Sequence, residues 1–355
     1  GGWRMSKFFW DTPNKKQLNM KGDLKNIMEM TRETFRIDRA VIEVAGGCNY
    51  SCSMCPQDLR EGGRHKGFRR IMKLDEFEKY VADCAQYGLN VVNLDGSGEA
   101  TMAKNLPEYI KVVKKYGAKA FIFSNGFKME GQYMRDCVDA GLDFYRFSFI
   151  GADEKDYSKW MYNAIGGHYA QIRRNIEEMV AYVKESGSDC VVSTYHLITD
   201  NDKIEEELEK YKKIVDELGV KTEIWKMHNW SGAWDIGDNA RKGKIKTCGR
   251  PFSPDVVIRA GGLDKKTGAV HPCCQVLGRD EEAVLGHCSE DNIADIFFGE
   301  EYETLREQHR TGDYPDFCKS CDFLIEDPEV LVYTNHERDL MKMHGTNFTL
   351  NDYRD

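Results

Sequence analysis

Six short apolar runs, separated by stretches with apolar residues at helical spacing, constrain this 355-residue chain more than any other feature. The runs are AVIEVAG (40–46), LNVVNLDG (89–96), AKAFIFSN (118–125), LDFYRFSFI (142–150), CVVSTYHLI (190–198) and VKTEIWKM (220–227). Between them lie 73–87, 104–116, 130–140, 168–186 and 203–218, whose apolar positions recur with the period of a helix. Gly88, Gly117, Gly141 and Gly219 stand where each helix must end before the next strand, a place that favours a residue free to turn left-handed. Six strands alternating with five helices predict an α/β fold with a parallel sheet and right-handed crossovers. Whether the sheet stays open or closes in part, its chemistry belongs at the C-terminal ends of its strands.

Polar residues gather at those ends. GCNYSCSMC follows the first strand, Asp95-Gly96-Ser97-Gly98-Glu99 the second and Ser124-Asn125-Gly126 the third. Ser148 closes the fourth, Tyr195 and His196 come late in the fifth, and His228-Asn229-Trp230 follow the sixth. The alternation occupies residues 40–228, after an N-terminal extension of residues 1–39. Residues 229–325 are rich in Gly, Asp and Cys and read as a small, irregular, metal-stapled module, and 326–355 as a terminal helix with a polar tail. A net charge of −9 argues against broad contact with nucleic acid or anionic membranes. No apolar run is long enough to span a membrane, and the N-terminal residues lack the apolar stretch of an export signal. GGWR before Met5 reads as an addition, with Met5 the natural start. A cytoplasmic, reducing setting follows, in which the twelve cysteines serve as metal ligands rather than in disulfides.

Cys48, Cys52 and Cys55 make a CxxxCxxC triplet in the loop after the first strand. Thiolates select zinc, copper(I) or iron–sulfur clusters. Structural zinc fills four protein positions, and no fourth ligand follows this triplet at once. A [4Fe–4S] cluster on three cysteines leaves one iron open, and an incomplete shell is a reactive one. The alternative is three packed thiols. A second set follows: Cys248, one of the adjacent Cys273 and Cys274, and Cys318 with Cys321 in FCKSC. TGAVHPCC (267–274) reads as a hairpin arm presenting sulfur. That shell is closed, and its spacing suits a zinc ribbon as well as a cluster.

The triplet, with Met54 before its last cysteine and Tyr50 as a nearby aromatic, resembles the signature of the radical S-adenosylmethionine (SAM) enzymes. The resemblance covers residues 40 to about 228 and implies a partial (β/α)6 barrel with S-adenosylmethionine chelated at the open iron. Gly98 and Glu99 match part of the family's GGEP motif at the methionine amino group, although Ser97 and Ala100 replace its first glycine and its proline. Ser124, Asn125 and Ser148 match polar residues that hold ribose and carboxylate. Ile150 replaces the aspartate of the family's SxDG motif, and Arg146, on the strand face of Ser148, is the candidate cation for the carboxylate. The arrangement Cys…GxxxxC…CxxC resembles the SPASM/twitch auxiliary-cluster domain, and the Gly268-to-Cys273 spacing favours Cys273 over Cys274. It implies a second [4Fe–4S] cluster on Cys248, Cys273, Cys318 and Cys321.

Within that family the short, one-auxiliary-cluster form resembles the 2-deoxy-scyllo-inosamine dehydrogenases. This implies oxidation of a carbinol in a sugar or aminocyclitol, the auxiliary cluster as electron acceptor, and an external donor such as flavodoxin or ferredoxin. His196 and His228 are candidates for the base that takes the hydroxyl proton. An epimerase is the rival, with Cys274 or Cys288 giving back a hydrogen atom. A peptide maturase is another, for which the segment before the first strand leaves little room for leader recognition. A non-catalytic iron–sulfur or zinc scaffold is the non-enzyme alternative. HNWSGAW (228–234) is the expected place of substrate contact, and Cys84, Cys137 and Cys190 read as buried packing.

Overall fold

A computed structural model describes residues 28–57, 70–161, 168–237, 240, 248–261, 266–277, 281–324 and 331–335. Six strands pair in parallel and in chain order: β1 (Arg39–Ile42), β2 (Val91–Asn93), β3 (Lys119–Ser124), β4 (Phe144–Ser148), β5 (Val191–Ile198) and β6 (Lys221–Lys226). Sequential parallel order requires a helix on each return, and these are α1 (Leu74–Ala85), α2 (Leu106–Lys115), α3 (Gly131–Asp139), α5 (Tyr169–Ser186) and α6 (Ile204–Leu218). The short α4 (Glu154–Trp160) was not expected; Asp153 starts it by accepting from Asp156 N. Each crossover helix buries one stripe. On α6 it is Tyr211, Ile214, Val215 and Leu218, each such side chain contributing about 1.5–3 kcal/mol when removed from water. Gly219 ends α6 at φ 62°, and its N–H donates to Val215 O, so a Cβ would strain the residue that aims the chain into β6. The result is the partial (β/α)6 barrel with a C-terminal auxiliary domain.

Two expectations are corrected. The C-terminal module is not purely irregular: β7 (Val256–Ile258) adds to the free edge of β1 in parallel, and β8 (Ala269–His271) and β9 (Gly286–His287) follow antiparallel. An edge strand offers unpaired amides and carbonyls, and the module's own apolar VVI run satisfies them. At the opposite edge, the described part of residues 326–355 is a strand, β10 (Leu331–Thr334), antiparallel to β6, where a helix was expected. The sheet thus has ten strands among the described residues. The helices α7 (Ile293–Phe297), α8 (Glu300–Thr311) and α9 (Asp316–Lys319) complete the module. Phe297 closes on Phe35 with ring centroids 4.8 Å apart, and the buried Arg306 donates to Phe297 O and Pro251 O. The expected domain boundary at 228/229 therefore crosses one continuous sheet and core.

Glu43, fully buried just past β1, is the hub of that junction. Its carboxylate accepts from Ala260 N (3.1 Å) and Arg259 Nη1 (3.3 Å) in the module, and from the backbone and hydroxyl of Ser97 after β2. A buried carboxylate persists only when its oxygens are satisfied, which both sides of the junction do here.

Candidate active site

The loop after β1 is held from both sides. Gly46 N donates to Arg70 O (2.8 Å), and Glu99 N donates to Gly47 O (2.8 Å). A Cβ on Gly98 would stand 2.3 Å from Ala45 O and 2.5 Å from Gly47 O, so only glycine lets the two loops meet. Cys48, Cys52 and Cys55 are half-buried, and all three line one cavity of about 370 Å³ at the strand C-termini. Cys48 Sγ accepts from Tyr50 N (3.4 Å) and Asn125 Nδ2 (3.8 Å). Burial, and after it the Glu99 carboxylate, push the Cys48 thiol far above its ordinary value. It stays protonated unless a metal takes the place of the proton.

The other strand-end residues form a network around that loop. Glu99 Oε1 accepts from Ser124 Oγ (2.7 Å) and Thr101 Oγ1 (2.8 Å), and Oε2 accepts from Asn125 N (2.8 Å). Glu99 thus locks the ends of β2 and β3 together. Tyr50 is buried, its hydroxyl 3.1 Å from Tyr157 Oη and 3.1 Å from His168 Nδ1. Ser148 faces the cavity from β4. Arg146 also faces it, sandwiched between the rings of Phe123 (3.6 Å) and Tyr195 (4.4 Å), but its guanidinium already pairs with buried Glu223 at 3.0 Å. The expected carboxylate partner is therefore largely neutralised from within the barrel.

Part of the second thiol set reaches the same cavity from the module. Cys273 and Cys274 line it. Cys273 and Cys248 are close enough to Cys321 to raise its thiol further after burial has done so, and Cys318 O accepts from Cys321 N in a tight turn. Cys274 is exposed toward the cavity, and Arg250 Nη1 donates to its sulfur at 3.4 Å. None of the twelve cysteines is in a disulfide.

Two expected residues lie elsewhere. His196 does not line the cavity: its Nε2 is 2.9 Å from Glu207, its Nδ1 accepts from Gly151 N, and its ring stacks on Tyr211 at 4.2 Å. It braces β5 against α6, because side chains alternate along a strand and Tyr195, not His196, points inward. Cys288 is buried near Cys84 of α1, where desolvation holds both thiols protonated, and it too is absent from the cavity wall. His228 lines the cavity, its ring 4.2 Å from that of Trp230.

HNWSGAW is a strut as much as a wall. Trp230 Nε1 donates to Met54 O (2.8 Å) inside the first cysteine loop. Asn229 Nδ2 donates to Ser320 O (2.6 Å), and Asn229 N to Asp322 Oδ2 (3.0 Å), on either side of Cys321; Ser231 Oγ donates to Phe317 O. Trp230 and Ser231 hold left-handed φ values of 49° and 59°, a conformation costing about 1–3 kcal/mol per residue that only surrounding contacts can sustain. Asn229 is thus committed to the protein rather than to a ligand, a correction to its expected substrate contact, and Trp234 does not line the cavity. Sequence reasoning placed Asp95 at a strand end without giving it a role, and passed over Asn93 and Glu223. The signal was there: polar residues at i and i+2 inside apolar strand runs face one side of a sheet.

Residues 42–230 match the family model described as the radical SAM superfamily. The chain belongs to that superfamily. Residues 265–322 match the SPASM iron–sulfur cluster-binding domain. GTP 3′,8-cyclase of Tolumonas auensis is 27% identical over 118 residues, 33% of this chain and 34% of that protein, so about a third of the relative's length is spanned. BtrN, solved with AdoMet and 2-DOIA, superposes at a TM-score of 0.54 with 17% identity, covering 84% of this chain and 98% of BtrN. SuiB of Streptococcus suis, solved with its precursor peptide SuiA, superposes at 0.60 with 12% identity, covering 84% and 73%. At these identities the structures share a fold. As a radical SAM enzyme with a SPASM segment, the chain takes S-adenosylmethionine and [4Fe–4S] clusters as cofactors. The donor chemistry fits such groups: the unbridged thiols of Cys48, Cys52 and Cys55 line one cavity, Cys273 lines the same cavity, and Cys248 and Cys321 lie near Cys273. Among the described residues no helix is long and apolar enough to cross a membrane.

Proposed function

We propose that this radical SAM enzyme oxidises a carbinol of a sugar or aminocyclitol-like substrate to a ketone. Cys48, Cys52 and Cys55 would hold the first cluster, and Cys248, Cys273, Cys318 and Cys321 the second. When bound, these cofactors supply a 5′-deoxyadenosyl radical from S-adenosylmethionine and a sink for one electron. One observation carries the reading: a single cavity is lined by Cys48, Cys52 and Cys55 on one side and by Cys273 on the other. A substrate in it would have the triplet and Cys273 in the wall of the same cavity. Glu99, Ser124 and Asn125 tie the strand ends around the triplet, Ser148 offers a hydroxyl, and Trp230 and Leu277 help to keep water out. An external one-electron donor such as flavodoxin or ferredoxin is part of the proposal.

A second reading is favoured by Cys274, whose thiol is exposed at the same cavity and could return a hydrogen atom, as an epimerase needs. A peptide substrate is a third, supported by the shared fold with SuiB. The test is anaerobic reconstitution, then incubation with S-adenosylmethionine, reduced flavodoxin and 2-deoxy-scyllo-inosamine. About eight irons per chain, 5′-deoxyadenosine and a ketone are expected. Deuterium from solvent in recovered polyol would mark the epimerase instead, and about four irons with one zinc would make the module a zinc ribbon.

A further inference from the structure

The floor of the cavity is built from the inward-facing residues of the barrel strands, among them Arg39 of β1, Asn93 of β2, Arg146 of β4 and Tyr195 of β5. An interior of this kind is ordinarily apolar. Here Asp95, two residues past Asn93 on the same side of the chain, adds a carboxylate to the wall. Asn93 Nδ2 donates to Asp95 Oδ1 at 3.2 Å, which turns Asn93 Oδ1 away from that bond. Asn93 is 2% exposed, and its Oδ1 has no hydrogen-bond partner among the described residues. A buried acceptor without a donor is destabilising, so a ligand donor belongs beside it. A carboxylate and an orphaned amide oxygen side by side select a group with an acidic or donatable proton.

We infer that Asp95 is the catalytic base that takes the hydroxyl proton of the substrate carbinol, with Asn93 Oδ1 a further acceptor for the substrate's donors. This rests on the proposed oxidation. Turning a carbinol into a ketone removes a hydrogen atom from carbon, a proton from oxygen and one electron. The cofactors take the atom and the electron; the proton, released as the C=O bond forms, goes to Asp95 and leaves it a neutral carboxylic acid. The two histidines considered from sequence serve less well, since His196 lies outside the cavity and His228 packs against Trp230 and Phe323.

The electrostatics suit the role. Burial raises the Asp95 carboxyl to about 6, while Arg146 and the Asn93 and backbone hydrogen bonds pull it back. The charged group that acts on it is Arg146 from β4, itself paired with Glu223 of β6, while Arg39, Glu99, Arg250 and Asp255 line the same cavity. A base must be ionised to act, so turnover climbs as pH rises through about 6 and levels above it.

The experiment compares reconstituted wild type, Asp95→Asn and Asp95→Glu with S-adenosylmethionine, flavodoxin and 2-deoxy-scyllo-inosamine, measuring ketone and 5′-deoxyadenosine separately from pH 5 to 9. Iron content and thermal melting check that each variant is folded and loaded. Asp95→Asn is expected to lose about 100-fold or more of the ketone rate while still forming 5′-deoxyadenosine, and to lose the pH inflection; Asp95→Glu recovers part of both. Equal ketone rates in wild type and Asp95→Asn, or an unchanged inflection, overturn the assignment and leave the oxidation standing. Should wild type make 5′-deoxyadenosine but no ketone, the oxidation itself fails and the base assignment with it. If Asp95→Asn does not fold, Asp95→Glu alone decides: an unchanged pH profile and rate overturn the role, a shifted profile supports it.

Discussion

The first cysteine loop and the auxiliary module solve the same problem, presenting thiols to a cluster, by opposite means. The first loop is local: three cysteines within eight residues, pinned by glycines and by the Glu99 network at the ends of neighbouring strands. The module is non-local: the four of its six cysteines proposed as ligands span Cys248 to Cys321, and a hairpin, a helix pair and the Asn229 strut must assemble before they could meet. A local set is cheap in chain entropy and leaves a corner open for a small ligand. A distributed set, on the proposed ligand assignment, would close its shell and so brace the C-terminal fold, which already joins the barrel where β7 pairs with β1 and Arg259 pairs with Glu43. The difference separates chemistry from support.

The sharpest way to break this comparison is to remove one thiol from each side. Cys52→Ala should abolish 5′-deoxyadenosine formation and lower iron from about eight to about four per chain, with the fold intact by circular dichroism. Cys321→Ala should lose a similar amount of iron yet lower the melting temperature as well, because its shell closes the module. Equal melting temperatures for the two variants would contradict the division of labour. Next in size is Gly98→Ala, whose Cβ has backbone within 2.3 Å; we expect about 1–3 kcal/mol of destabilisation in denaturant titrations and poor iron loading of the first site. Asn229→Ala removes the side-chain bonds that Nδ2 donates to Ser320 O and that Oδ1 accepts from Asp322 N, and should cost about 1–3 kcal/mol; Trp230→Phe loses the bond to Met54 O, about 1 kcal/mol. A melt showing Trp230→Phe to be the worse of the two would place the strut's weight on the first loop instead. Smallest of all, Cys288→Ala should leave products unchanged, since the thiol lies away from the cavity. Cys274→Ala should preserve the ketone; solvent deuterium in recovered polyol from wild type that disappears in this variant would favour the epimerase.

Much of this was legible from residues alone. The six runs became β1 to β6, and the amphipathic stretches became helices within a residue or three of the predicted bounds. Gly88, Gly117, Gly141 and Gly219 all take positive φ. Other features were not legible. The runs Val256–Ile258 and Leu331–Thr334 carry no mark saying that they pair with β1 and β6, because partner choice among short strands depends on which edges are left bare. His196 looked as good a base as His228 until strand alternation put it outside the barrel. Arg146 looked free until Glu223, 77 positions away, was found beside it.

What the sequence determined by itself is whatever depends on spacing: the alternating strands and helices, the CxxxCxxC loop and its thiol count, the CxxC, and the glycines that end helices. Those are short-range properties, set by backbone geometry and by ligand chemistry within a few residues. Only the tertiary structure decided which side chains share a space, bringing the first triplet, Cys273 and Cys274 to one cavity, Asp95 to its wall and Cys288 away from it. Convergence of this kind joins residues more than 200 positions apart, and it is fixed by the closing of the sheet and the burial of its faces rather than by any local pattern.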